Sequence, residues 1–275
     1  MILTELPLAL PLVACVAIGA FAPLIGTFLV QKRLSLIGDG IGHVAFAGVG
    51  AGLLLNVWPV WTALAFAVIG AVGVEVLRMR RRVAGDLALA LFFYTGLALG
   101  AVFASRGQHL DPETLPYLFG DPYVASTVGV TVILGIGAVV VAWVLVLRRV
   151  LFAVVTDEDW ARVAGLPVDA VNIVLAGGTA AVVVVGMKVV GILLIAALTV
   201  LPVASAQLLG RSFAHTLRLA CAIGAASAAV GLVGGRIVDV APGGAIVIVA
   251  AAVFTAVAAS KRTSPRSLAM GEGEP

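Results

Sequence analysis

From residue 8 to residue 260 the sequence runs as about nine apolar stretches of near twenty residues, separated by short polar links. Wound as an α-helix, a stretch of roughly 20 residues matches the hydrocarbon core of a bilayer. Inside lipid every backbone N–H and C=O has to find its partner within the protein, which leaves helices or closed barrels. Barrel strands are about ten residues long and alternate in polarity, and these runs do neither. The expectation is an all-α polytopic bundle of about nine spans, eight to ten, over residues 8–30, 37–56, 60–77, 87–105, 124–147, 169–187, 190–209, 214–233 and 243–260. Only 11% of residues are charged, against about a quarter in soluble domains, so a soluble enzyme is excluded. The 32 glycines suit close helix contact in lipid, where small residues let backbones approach.

The basic residues are distributed unevenly over the links. Lys32, Arg33, Arg78, Arg80, Arg81, Arg82, Arg148, Arg149, Arg162, Arg211, Arg218, Lys261, Arg262 and Arg266 fall on one side of the alternating spans. Arg106, Lys188 and Arg236 fall on the other. The Lys/Arg-rich side is cytoplasmic, which places the N-terminus outside and the C-terminus in the cytoplasm. Glu5 and the lack of a basic residue ahead of the first apolar run argue against a cleaved secretory signal. No basic stripe with interleaved aromatics points to nucleic acid. Cys15 and Cys221 both sit in apolar runs and read as small buried fillers rather than a disulfide or a metal cluster. Residues 1–262 make one transmembrane domain, and residues 263–275 a tail with a disordered composition.

Asp39 and His43, at the start of the second span, stand out chemically. Their i,i+4 spacing puts both side chains on one helix face. A carboxylate oxygen and an imidazole nitrogen are ligands for a divalent transition metal, and an ionisable group within a span marks a functional site by default. An Asp–His hydrogen bond that merely tethers helices is the competing reading. Two ligands fall short of the four that zinc usually takes, so a second copy of the chain or other spans would complete a site. His109, Asp111 and Glu113 form a polar outer link with ligand-type groups. His215 reads as interfacial, and Glu75 and Lys188, near span ends, read as snorkelling side chains. Pro202, inside a span, frees a carbonyl and marks a hinge or a tolerated bend. The inner link from Arg148 to Asp169 carries a short helix signature, with Thr156 as N-cap, acids at 157–159 and Gly165 as the stop. Such a helix is either a solvated connector or a docking element. The chain has no GxxxxGK[ST] phosphate loop, no HExxH and no GxSxG.

The stretch APLIGTFLVQKRLSLIGDGIGHVAFAGVGAG resembles the early signature of bacterial zinc/manganese-type ATP-binding-cassette permeases. Gly38, Asp39 and His43 match its Gly-Asp and following His, and Lys32, Arg33 and Ser35 match its lead-in. PYLFGDP (116–122) is similar to the family's Tyr-Leu-Phe-Gly-Asp element. MKVVGILLIAALTVLPVASA (187–206) is similar to its Met-Lys-x-Val-Gly segment, although Val203 separates Pro202 from Ala204. APGGAIVIV resembles its late Pro-x-Gly element. Gln207 departs from the basic residue that some relatives carry.

The resemblance implies a homodimeric permease with its metal path near the two-fold axis. A cytoplasmic ATP-binding-cassette ATPase, which holds the ATP, would dock on a coupling helix at about 156–165. Asp157, Glu158, Asp159, Ala161 and Gly165 are its candidate coupling residues. An extracytoplasmic metal-binding protein would deliver the ion, and Asp39 and His43 would coordinate it in passing. The cargo expected is zinc first, then manganese, then iron, with no permanently bound cofactor and no catalytic residue. Rival readings are a secondary metal carrier that needs no ATPase, an intramembrane enzyme using Asp39 and His43 as acid and base, and a membrane scaffold.

Overall fold

A computed structural model describes residues 8–80, 85–106, 115–210 and 212–262. The expected tail (263–275) and the ligand-type residues His109, Asp111 and Glu113 lie outside the described residues. Eleven α-helices follow in order: α1 (Ala9–Gln31), α2 (Ile37–Leu54), α3 (Pro59–Met79), α4 (Gly85–Arg106), α5 (Leu115–Phe119), α6 (Thr127–Thr156), α7 (Glu158–Val163), α8 (Val168–Val190), α9 (Ile192–Leu209), α10 (Phe213–Val238) and α11 (Pro242–Arg262). There is no strand among the described residues. Seven helices are long and apolar enough to cross a membrane, namely α1, α2, α3, α6, α8, α10 and α11. The spans expected at 87–105 and 190–209 fall on shorter apolar helices within α4 and α9, Leu87–Phe103 and Leu194–Leu209.

The helix ends follow local chemistry. Pro59 occupies the first turn of α3, where its missing N–H costs nothing. Ser126 accepts the Gly129 N–H at 3.1 Å to cap α6, and Ser212 caps α10 through the His215 N–H. The α1–α2 turn is short and closed by Leu34 N–H to Leu29 O and Ile37 N–H to Leu34 O, with Arg33 at φ 60°.

The helices pack as two groups. α1 lies against α6, α8, α9 and α10, while α2 is flanked by α3, α4, α8 and α9. Helix α2 is the innermost, with 83% of its apolar window buried, against 17% for α11. This is why α2 reads as Gly and Ala at so many positions: neighbours approach it on every side.

The motif fragments at 116–122, 187–191 and 241–244 meet at one place. Gly191 (φ 92°) is the sole residue between α8 and α9. Gly120 (φ 76°) packs its Cα against the Val190–Gly191 peptide so tightly that a Cβ there would lie 2.2 Å from the Val190 carbonyl carbon. A Cβ on Gly243 would sit 2.8 Å from both Phe119 O and Val190 O. The Asp121 N–H reaches Lys188 O at 3.2 Å, and the Asp121 carboxylate accepts the Tyr123 N–H at 3.0 Å, starting a 3-10 turn over Pro122–Val124. Pro202 lies within a continuous α9, and the break at Gly191 falls close to the boundary expected between the spans 169–187 and 190–209.

Candidate metal site and docking helix

Asp39 lies in the first turn of α2 and His43 one turn further along it. Their side chains do share a face, and His43 Nε2 stands 3.7 Å from Asp39 Oδ1. That is longer than a hydrogen bond. It is close to the roughly 3.4 Å that separates two tetrahedral ligands of a metal held at about 2.1 Å. The imidazole is 7% exposed and the Asp39 side chain 33% exposed. His43 is thus a fixed wall and Asp39 an accessible mouth. The ring is held edge-on against Phe93 of α4, centroids 4.4 Å apart. Gly96 backs it so closely that a Cβ there would come within 2.8 Å of the His43 carbonyl carbon. His43 Nδ1 is buried with no hydrogen-bond partner among the described residues, an open demand for an acceptor or an ion. No group of three or more His, Cys, Asp or Glu is close enough to share a metal among the described residues. Among the described residues, the Asp39–His43 pair is thus a candidate for two ligands per chain.

The inner link departs from expectation in several respects. α6 does not end near residue 147 but continues to Thr156, because the apolar run VLFAVV carries the helix past Arg148 and Arg149. Thr156 is not the N-cap, since its hydroxyl bonds back to Phe152 O at 2.7 Å. Asp157 is the cap: its φ is −153° and its carboxylate accepts the Trp160 N–H at 2.9 Å. The acids lie at the positive end of α7, where the helix dipole favours them. Gly165 (φ 77°) ends the turn as the glycine stop anticipates.

Two of the candidate coupling residues turn inward. Ala161 is fully buried. Glu158, its side chain 31% exposed, aims Oε1 at the bundle, where it accepts from Lys32 Nζ at 2.5 Å, Arg78 Nη2 at 2.8 Å and Asn172 Nδ2 at 3.2 Å. Lys32 also donates to Asn172 Oδ1 at 2.5 Å. Arg78 grips Glu75 with both Nε and Nη2, at 3.0 and 2.6 Å. Glu75 is therefore no snorkelling side chain; it is 2% exposed and paired. An unpaired carboxylate at that depth is prohibitive, and Arg78 one turn on is the signal in the sequence that it was paired. Burial pushes the Glu158 carboxyl up, but the hydrogen bonds from Arg78 and Lys32 outweigh it and hold the group at about 2. Its contribution to stability is present above the ordinary carboxylate range and is lost as pH falls through about 2. Amide hydrogen exchange in α7 is accordingly expected to show the same protection from pH 5 to 8 and to rise in Glu158→Gln at every pH in that window.

What α7 offers outward is Trp160, 62% exposed, and Val163, 89% exposed, one turn apart with Asp159 and Arg162 beside them. Asp157, Glu158, Asp159, Arg162, Asp169, Arg78 and Met79 border a polar cleft of about 450 Å³ at their side. The Arg162–Asp169 pair at its rim is more than half exposed, so it adds little. His215 is exposed in the first turn of α10, Lys188 is exposed near the end of α8, and Cys15 is buried without a disulfide.

The profile described as the ABC 3 transport family matches residues 8–261. The chain is 30% identical over 247 residues to a protein of Treponema pallidum described as a "Probable metal transport system membrane protein", covering 90% of this chain and 92% of that one. It is 30% identical over 243 residues to the manganese transport system membrane protein MntC of Halalkalibacterium halodurans, covering 88% and 83%. Its fold is similar to that in PsaBC from Streptococcus pneumoniae, solved in complex with Fab, with a TM-score of 0.82 at 26% identity over 91% of this chain and 90% of that one.

Proposed function

The chain belongs to the ABC 3 transport family, and from that premise we propose that it passes manganese, with zinc second, across the membrane by way of Asp39 and His43. It is a multi-pass membrane permease of metal-import type, a transport component and not an enzyme. Zinc led the expectation from ligand chemistry alone, since a carboxylate and an imidazole serve either ion. The relatives bearing a named metal are manganese systems, and manganese accepts oxygen ligands more readily than zinc, which favours it. The observation that carries the proposal is the Asp39–His43 pair, 3.7 Å apart and not hydrogen-bonded, on the innermost helix. Two ligands per chain suit capture and release better than storage. A second copy would bring two more, and the homodimer belongs to the same proposal.

The transport cycle proposed is alternating access driven by an ATPase partner on the cytoplasmic side, with an extracytoplasmic metal-binding protein supplying the ion. The N-terminus outside and C-terminus inside follow the basic-residue count. The docking contacts are Trp160 and Val163, not Ala161 or Glu158. An exposed Trp ringed by charged residues fits the pattern of an interface anchor. Trp160→Ala is expected to cut co-purification of the ATPase about thirtyfold, equivalent to about 2 kcal/mol at an anchor, whereas Asp159→Lys changes it about threefold or less, as rim charges do. Equal losses from both would undo the assignment of the anchor.

The test of the proposal is uptake of Mn²⁺ and Zn²⁺ into vesicles holding the chain with and without its ATPase. ATP-dependent uptake with Mn²⁺ preferred is expected. Uptake that needs only an ion gradient would replace the reading with a secondary carrier, and no uptake of either ion would sink it.

A further inference from the structure

We propose that Lys32, Glu75, Arg78 and Glu158 form a latch that makes α7 and the α1–α2 turn one rigid body, so that movement of α7 is delivered to Asp39. The inference rests on the metal-import reading above and adds to it a set of positioning residues. The four side chains come from three separate places. Lys32 is the residue at which α1 ends, Glu75 and Arg78 lie in the last turns of α3, and Glu158 opens α7. Asn172 of α8 bonds to both Lys32 and Glu158. Two cations and two carboxylates cancel; Lys32 and Glu75 are 4% and 3% exposed, and Arg78 and Glu158, at 22% and 31%, close the cluster toward the cleft.

A neutral, fully bonded cluster of this kind is tolerated in a low-dielectric setting, but removing one member leaves a buried charge unpaired. The cluster therefore resists being pulled apart. Lys32 is separated from α2 only by the short turn closed at Leu34 and Ile37, and Asp39 is in the first turn of α2. A displacement of α7 that carries Lys32 with it has few backbone torsions in which to be lost before it reaches the metal ligand. Trp160 and Val163 face away from the cluster, so docking and transmission fall on opposite faces of a six-residue helix.

The experiment uses the complete complex with its ATPase in lipid nanodiscs for distances and in vesicles for transport. Spin labels replace Leu36, exposed ahead of α2, and Asp159, exposed on α7, in a background with Cys15 and Cys221 changed to alanine. With the cluster intact, the distance between the two labels is expected to change by less than about 2 Å between the nucleotide-free and ATP-trapped states, the scale of an ordinary helix shift. In Lys32→Met it is expected to differ between the states by more than that. In vesicles Lys32→Met keeps ATPase binding, and its Mn²⁺ uptake per ATP hydrolysed falls about tenfold, within the range of coupled sites. Lys32→Arg restores the ratio. Should Lys32→Met fail to assemble, Glu158→Gln, which leaves the Arg78–Glu75 pair in place, carries the same expectations.

A label distance that changes by much more than this with the cluster intact overturns the latch, as does an unchanged uptake ratio in both Lys32→Met and Glu158→Gln. A fixed distance in a complex that moves neither Mn²⁺ nor Zn²⁺ overturns the metal reading instead and leaves the rigid body standing.

Discussion

Mn²⁺ uptake is expected to fall at least about a hundredfold in Asp39→Asn and in His43→Ala, since even an outer-shell partner of a metal ligand is worth 10–100-fold. Asp39→Asn keeps the shape of the side chain and removes its charge, so a third-exposed residue loses its affinity for a cation without disturbing packing. His43→Ala opens space beside Phe93 and lowers stability as well, which makes the Asp39 variant the cleaner of the two. The double variant is expected to lose no more than the worse single one, because ligands of one ion act as a unit and their effects do not add. ATPase co-purification stays at the native level, since both residues are on α2 and the docking face is on α7. The measurement is ATP-driven Mn²⁺ uptake in vesicles, normalised to the amount of assembled complex. Native uptake in both single variants at native assembly would remove Asp39 and His43 from the path. An additive double variant would mean that they act at separate places.

The second large effect is on folding. Gly120→Ala is expected to destabilise the chain by roughly 3 kcal/mol, about 1–2 for a left-handed residue with a Cβ and the rest from overpacking. A Cβ at 120 would lie 2.2 Å from the Val190 carbonyl carbon and 2.6 Å from Gly191 N, and both neighbours are backbone that cannot rotate away. Gly165→Ala is the internal control. Its φ of 77° matches that of Gly120, but a Cβ there meets nothing within 4 Å, so only the roughly 1 kcal/mol conformational term remains. Size-exclusion profiles of the detergent-solubilised chains after a heating series separate the two. Gly120→Ala should aggregate at a clearly lower temperature than Gly165→Ala. Equal behaviour would show that the junction at Gly120 yields, and that the close approach is not what the glycine is for.

Much of the architecture could be read from the chain because the membrane asks so little of it. Length and apolarity locate the helices, and i,i+4 spacing is enough to place Asp39 and His43 on one face. What escaped was everything set by contacts between distant segments. Glu75 looked like a side chain reaching for the interface although its local partner Arg78 was in view; what no nearby residue revealed is that Lys32 and Glu158 meet beside that pair. The candidate coupling residues came from a family resemblance laid on a short helix signature, and a helix of six residues has too little periodicity to say which side faces out. The structure buries Ala161 and turns Glu158 inward, leaving Trp160 and Val163 as the outward pair. The boundary between α8 and α9 was legible from span length, but the close packing around it was not: Gly120 and Gly243 both approach the end of α8 at Val190, and they lie about seventy and fifty residues away in sequence.

Helix α6 has 30 residues, roughly 45 Å at 1.5 Å per residue, against about 30 Å of hydrocarbon. Its last turns, past Arg148 and Arg149, stay packed on the bundle through Leu151, Val154 and Val155, and α7 follows at their far end. The proposed docking face is thus carried at the end of a stiff arm, clamped at its tip by Lys32 and Arg78 through Glu158. If the ATPase seats on α7 as proposed, such an arm would work as a lever, and a small swing at its tip would become a smaller, more forceful tilt of the helices around Asp39 and His43.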